Sequence, residues 1–367
     1  MRAMFTQWLE RKFSNPESVV LLAILVVGSV IIYSFGELLT PIIVAVVIAY
    51  LLEWPIRRLR AHNVPRTLAV TLVFTSFIGF MLLIVFGLIP PVWQQVKNLG
   101  TQIPDMAATG QQLLIGLPDR FPAFISQKNI TDVTNELTTQ FGHLGKYILS
   151  ISLSSLMNIA AIMIYMILVP LLVFFFLKDK NLLLKWLVSH LPKDREMSTR
   201  VWAEVNQQIG NYIRGKILEI LVVGIATYLV FVFMGINYSL LLAVFVGLSV
   251  LIPYVGAVVV TIPVTIIAFM QWGFSADFGY MMVLYLTVQG LDGNILVPLL
   301  FSEAVCLHPV AIIGAILVFG GLWGFWGIFF AIPLATLVKA VMHAWEDGDN
   351  EMTNITSSTK ELREKQI

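Results

Sequence analysis

Long apolar runs dominate this chain, and its polar residues are gathered into a few blocks between them. The clear runs cover residues 18–36, 38–53, 67–92, 148–177, 216–236 and 279–300. A helix needs about 20 predominantly apolar residues to cross the hydrocarbon core of a bilayer, so each run predicts a transmembrane helix. Two further apolar stretches are divided. Residues 240–252 and 257–270 flank "PYVG", and residues 309–320 and 322–342 meet at the Gly320-Gly321 pair. Arms this short, joined by apolar turns, predict two re-entrant hairpins; the second arm of the second hairpin is long enough to span. Irregular backbone at membrane depth is tolerated only where protein or a water-filled cavity satisfies it. Hairpins of this kind form the core of many secondary transporters. The expected fold is therefore all-α and polytopic, with about six to eight transmembrane helices.

The polar blocks orient these elements. Residues 54–66 carry Arg57, Arg58, Arg60 and Arg66 with no acid, and 178–216 carry Lys178, Lys180, Lys185 and Arg214 among other bases. Residues 93–147 balance bases against acids. The positive-inside rule puts the first two blocks in the cytoplasm, with the N-terminus, and the third outside. The chain then divides into an amphipathic N-terminus with three spans (1–92) and an extracytoplasmic amphipathic segment (93–147). A fourth span (148–177) and cytoplasmic amphipathic helices (178–215) come next. A core with two hairpins (216–342) and a disordered cytoplasmic tail (343–367) complete it. Pro104, Pro118 and Pro122 are expected to break the extracytoplasmic segment into short surface helices, and Pro192 to bend the cytoplasmic pair. The first apolar run has no small-residue cleavage site after it and reads as an uncleaved span.

Composition sharpens the class. The chain is 58% hydrophobic and 12% charged, with a mean hydropathy of +0.85, against about 25% charged in a soluble domain. This much apolar surface requires a lipid bilayer as partner. The net charge of +1 argues against nucleic acid. A single cysteine, Cys306, excludes an intramolecular disulfide. Walker A, HExxH and GxSxG patterns are absent, as are histidine pairs at metal spacing. No enzyme, cofactor or metal is expected.

The leading candidate site lies in "LTVQGLDGNILVPLL", residues 286–300. An ionisable residue inside a span is costly and normally faces a bundle interior or a cavity, which singles out Asp292. Gln289, three residues earlier, shares its helical face. Asn294 adds an amide. Pro298 has no N–H, so the Asn294 carbonyl loses its helical partner. These groups suit a proton, a sodium ion or a hydroxyl-rich solute; an inter-helix packing knot is the structural alternative. Pro253, Tyr254 and Gly256 at the first hairpin tip, and Gly320 and Gly321 at the second, are further candidates. Arg214, Glu219, Glu303 and His308 stand at the edges of spans. For these, snorkelling cations, ion pairing and helix capping are the plainer readings.

Several motifs occur in order along the chain: "NYIRGKILEILVVGIATY", "YSLLLAVFVGLSVLIPYVGAVVVTIPV", "LDGNILVPLLFSEAVCLHPVAIIG" and "GGLWGFWGIFFAIPLATLVKAV". Together they resemble the autoinducer-2 exporter (AI-2E) family of bacterial membrane proteins, with the closest likeness to its PerM permease branch. The likeness covers residues 10–345 and is densest over 205–342. It implies a multi-pass protein of the bacterial inner membrane, homo-oligomeric, that exports or exchanges a small polar solute, with H+ or Na+ as a coupling ion. Positions matching the family motifs include Tyr212, Arg214, Gly215, Pro253, Tyr254, Gly256, Asn294, Pro298, His308, Gly320 and Gly321. An oligomeric channel or a non-transporting membrane scaffold remains the alternative reading.

Overall fold

The computed structural model describes residues 16–115, 163–189, 196–301 and 307–341. The expected N-terminal amphipathic helix, the breaks at Pro118 and Pro122, the first half of the fourth span, the Pro192 bend, Glu303, Cys306 and the tail from 343 lie outside them. The described residues are helical, and no strand occurs among them. Helix α1 runs Pro16–Ala61 with a break at Phe35, α2 Arg66–Leu83 and α3 Ile89–Ile115. Helix α4 covers Met163–Lys178, α5 Lys180–Ser189 and α6 Glu196–Met234. Helices α7 (Ser239–Ser249), α8 (Val255–Trp272) and α9 (Ala276–Leu291) come after it. Helices α10 (Val297–Phe301), α11 (Pro309–Phe329) and α12 (Ala331–Val341) complete the set. Among the described residues, six helical segments are long and apolar enough to cross a membrane.

Two features differ from the pattern that the sequence predicts. First, α2 and α3 form one nearly continuous helix, joined by a π-helical turn at Ile84–Leu88. The stretch Arg66–Ile103 is 38 residues long, about 57 Å at 1.5 Å per residue, well beyond a hydrocarbon core of about 30 Å. The beginning of the polar segment, up to Ile115, is therefore a helical continuation of the third span, and Pro104 does not end it. Second, α6 is a single helix from Glu196 through the span to Met234, so 196–215 is not a separate piece.

The chain forms two compact units: Met1–Leu51, Phe175–Lys216 and Pro298–Ile367 in one, and Leu52–Phe174 and Ile217–Val297 in the other. In the second unit, apolar side chains of α6, α7, α8 and α9 build a core around Val223, Phe231, Leu242, Val246, Val264 and Tyr285. Helices α6 and α7 cross backbone to backbone. A Cβ built on Gly247 would stand 3.0 Å from the Ile220 carbonyl oxygen and 3.1 Å from Gly224 Cα. Small residues permit this approach, which is how apolar helices pack without a hydrophobic driving force. Gly247→Val is expected to push the helices apart and lower stability by about 1–3 kcal/mol, read as a lower melting midpoint in detergent. An unchanged midpoint would show that the crossing is not tight.

Three glutamines pin the connection between α6 and α7. Gln95 Oε1 accepts from Leu241 N at 2.8 Å, and Gln102 Oε1 accepts from the Tyr238 hydroxyl. Gln271 Oε1 accepts from Asn237 N at 2.7 Å, while its Nε2 donates to the Gly235 carbonyl at 2.9 Å. Two of the three come from α3. The polar residues that suggested a surface helix are thus the fastenings of this connection.

In the first unit, Tyr50 of α1 donates its hydroxyl to the Asn206 carbonyl of α6 at 2.7 Å, close against Gly210. Phe301 lies over Gly215, 5.7 Å from the Tyr212 ring, and Lys216 Nζ sits 5.3 Å from its centre. Trp326 Nε1 donates to Thr40 Oγ1 at 3.3 Å.

Candidate functional site

Helix α9 carries the leading candidates. It starts at Ser275, whose hydroxyl accepts from Phe278 N, and it runs into a π-helical turn at Asp292–Leu296. Val297 N closes that turn on the Asp292 carbonyl. A proline ring crowds the carbonyl four residues before it and offers no N–H. A π-turn ahead of the proline widens the backbone there. The other π-turn, Ile84–Leu88, likewise stands just before Pro90 and Pro91. The weakening expected from Pro298 thus takes the form of one extra residue in a turn that begins at Asp292.

One face of α9 is buried against α8. The rings of Phe278 and Phe269 are 5.9 Å apart, and Thr265 Oγ1 points to Met282 Sδ at 3.7 Å. The Tyr285 and Thr261 hydroxyls share a 2.8 Å hydrogen bond. Each step forward along α9 meets a step back along α8, so the helices are antiparallel. Gln289 and Asp292 continue the same face, at i+4 and i+7 from Tyr285. Gln289 Nε2 and Asp292 Oδ1 are both shielded within the chain. The Gln289 Nε2 has no hydrogen-bond partner among the described residues.

Asn294 goes elsewhere. Its Nδ2 donates to the Gly290 carbonyl on its own helix at 2.8 Å, on an exposed side, and Pro298 is exposed as well. The structure therefore joins Gln289 and Asp292 and separates Asn294 from them. Tyr285 and Thr261 extend the polar stripe, and sequence reasoning did not single them out. The only signal for Tyr285 was a hydroxyl at helical spacing from Gln289, which many apolar spans also show, and Thr261, on another helix, gave none.

Pro253, Tyr254 and Gly256 build the turn between α7 and α8. Val255 N donates to the Pro253 carbonyl at 2.7 Å, and Tyr254 has φ 62°, ψ −52°. That is a γ-turn of the rare, strained hand. Gly256 backs onto the Ser249 carbonyl so closely that a Cβ there would overlap it. The Tyr254 ring is 59% exposed. A strained exposed residue persists only where its surroundings over-determine it. Tyr254→Gly should remove the strain and leave stability equal or higher by about 1 kcal/mol. A fall in the melting midpoint would show that the ring itself supports the tip.

The second hairpin turns later than expected. Gly320 and Gly321 are helical, and the chain breaks at Gly324, with φ 59°, ψ −134°. Gly327 then backs onto the Phe319 carbonyl, and Ile328 packs on Gly320. The turn needs a glycine where φ is positive and another where the arms touch, and these are Gly324 and Gly327.

The remaining candidates have local roles. Arg214 Nε donates to the Gly210 carbonyl and Nη2 to Asn211 Oδ1, both at 2.8 Å. His308 caps α11, with Nδ1 accepting from Val310 N at 3.3 Å and Pro309 in the first turn. Glu219 is 2% exposed, deeper than its position at the start of a span suggested. Among the described residues, no group of three His, Cys, Asp or Glu side chains is placed to hold a metal ion.

The sequence profile of the AI-2E family transporters matches residues 22–347. The Escherichia coli K12 protein named "Putative permease PerM" is 51% identical over 95% of this chain and 99% of its own length. A Bacillus subtilis protein, "Putative transport protein YueF", is 29% identical over 83% of both chains. A Mycobacterium tuberculosis transport-named protein is 26% identical over 86% of this chain and 84% of its own. With its span-length apolar helices and a profile match over nearly all its length, the chain belongs to the AI-2E family of multi-pass membrane transporters.

Proposed function

We propose that this protein is a secondary transporter of a small polar solute in the bacterial inner membrane, coupled to a proton or sodium gradient through Asp292. The observation that carries this reading is the half-buried Gln289–Asp292 face of a span-length helix, with Gln289 Nε2 and Asp292 Oδ1 shielded within the chain and a π-turn starting at the carboxylate. A carboxylate is retained inside a span where its charge has a use, because its desolvation is costly. The antiparallel register of α8 and α9 adds support. Continued past Tyr285 and Thr261, it brings Gln289 level with the first turn of α8 and Asp292 level with the tip at Tyr254. The carboxylate would then stand beside the positive end of the α8 dipole and beside the strained turn of the hairpin. In this reading the hairpins at 239–272 and 309–341 re-enter, and the N-terminus is cytoplasmic.

The test is solute flux in liposomes containing the purified protein, across a panel of small polar solutes. Uptake should rise with an imposed pH or sodium gradient, saturate with solute, and collapse when the gradient is dissipated. Large non-saturating currents without a gradient requirement would replace this reading with an oligomeric channel. No flux for any solute would favour a scaffold.

A further inference from the structure

Thr227 in α6 is completely buried, and its Oγ1 has no hydrogen-bond partner among the described residues. This is unusual for a helical threonine. Thr40, Thr71, Thr261 and Thr287 each donate to the carbonyl four residues back, at 2.7–3.0 Å, the normal outlet for a hydroxyl in an apolar helix. Thr227 forgoes that bond. A buried hydroxyl left unsatisfied is costly, so one with no partner among the described residues calls for an occupant.

Its position suggests which occupant. Phe231, one turn further along α6, stacks on Tyr285 of α9 at 5.9 Å between ring centres. Helix α7 runs back along α6, α8 back along α7 and α9 back along α8, so α6 and α9 are antiparallel. One turn back from Phe231 is Thr227, and one turn on from Tyr285 is Gln289. Carried on by one turn, the register of that ring contact brings the two near the same level. Each carries a buried polar atom with no partner among the described residues, Thr227 Oγ1 and Gln289 Nε2. Asp292, whose Oδ1 is also buried, lies less than one turn beyond Gln289.

We infer that Thr227 and Gln289 hold one buried water molecule beside Asp292, and that this water relays protons to the carboxylate. The donor and acceptor inventory favours water. The carboxamide N–H needs an acceptor, the carboxylate accepts, and the threonine hydroxyl does either. A water meets all three and needs only a site about one molecule wide, with two to four polar partners. In the relay, the water passes one proton to the carboxylate and takes another from the side of entry, so it is left unchanged. The other titratable side chains near this level are Glu219 and Tyr228 on α6, Tyr254 in the turn before α8 and Tyr285 on α9. Helix α7 carries none, and α3, which packs on α7 and α8, carries Lys97 and Asp105. The relay rests on the coupling role proposed for Asp292; the water site does not.

Thr227→Val and Thr227→Ser separate these points, with Asp292→Asn beside them. Valine keeps the shape and removes a hydroxyl that bonds to none of the described residues, so a purely structural threonine predicts no loss. The readouts are the infrared O–H stretch of a buried water, identified by its shift in H2(18)O, and proton-driven flux in liposomes. The wild type and Thr227→Ser should show the band, and Thr227→Val should lose it, with flux falling about tenfold and recovering in the serine variant. A band that persists in Thr227→Val overturns the water site. A band lost with flux unchanged overturns the relay. Unchanged flux in Asp292→Asn, with the band lost in Thr227→Val, removes the coupling role and the relay and leaves the water site standing.

Discussion

Asp292→Asn is expected to reduce gradient-driven uptake strongly while leaving a folded, membrane-inserted protein. Asparagine has the same size and its amide can still hydrogen-bond, so the π-turn at Asp292–Leu296 and its Pro298 neighbour should be undisturbed. What it removes is the charge and the site of proton gain and loss. A hydrogen bond to a charged group contributes about 1.5–3 kcal/mol, so loss of the carboxylate's interaction with its ion should lower coupled uptake roughly 10- to 150-fold. Uptake driven by the solute's own concentration difference should persist, now indifferent to the gradient. Equal uptake in variant and wild type, with equal response to the gradient, would reduce Asp292 to a packing residue.

The largest loss of stability should come from the two glycines at the hairpin turns. At Gly256 and Gly327 even one added carbon would overlap a backbone carbonyl oxygen, of Ser249 and of Phe319 respectively. Neither oxygen belongs to a flexible side chain, so the arms of each hairpin would have to separate. Gly256→Ala and Gly327→Ala are each expected to cost about 4 kcal/mol or more, the range kept for strain the backbone cannot relieve. The measurements are the yield of monodisperse protein and its melting midpoint in detergent. Gly293→Ala and Gly314→Ala serve as controls, because a Cβ at either meets nothing within 4 Å. Tolerance of alanine at Gly256 or Gly327 equal to that of the controls would mean that the turn is not as tight as its geometry indicates.

The two turns also show how far local sequence reaches. The first was legible, because Pro253 and Gly256 leave few ways to join two apolar helices. The second stands beyond the Gly320-Gly321 pair that local sequence favoured. Gly320, Gly321, Gly324 and Gly327 are each able to break a helix, and the choice fell to the one that lets Gly327 meet Phe319. Pro298 announced a weak point in α9, and a π-turn stands there. Pro104 announced a break in the same way, yet α3 continues through it. There, Gln95 and Gln102 fasten α3 to residues 238–241, more than a hundred positions away, and a local rule cannot count such bonds.

By itself, the sequence determined the class of molecule and its spanning elements, through composition and spacing. Apolar surface in this amount has to be in lipid, runs near 20 residues long form spanning helices, and a carboxylate with an amide three residues before it shares that amide's face. Tertiary structure decided which polar groups meet. Asn294 satisfies its own helix at Gly290, while Thr227, invisible among apolar neighbours, is fully buried with no partner for its hydroxyl among the described residues. The reason is geometric. A helix fixes the face on which a side chain lies, but only the register between packed helices sets which faces meet, and at what level.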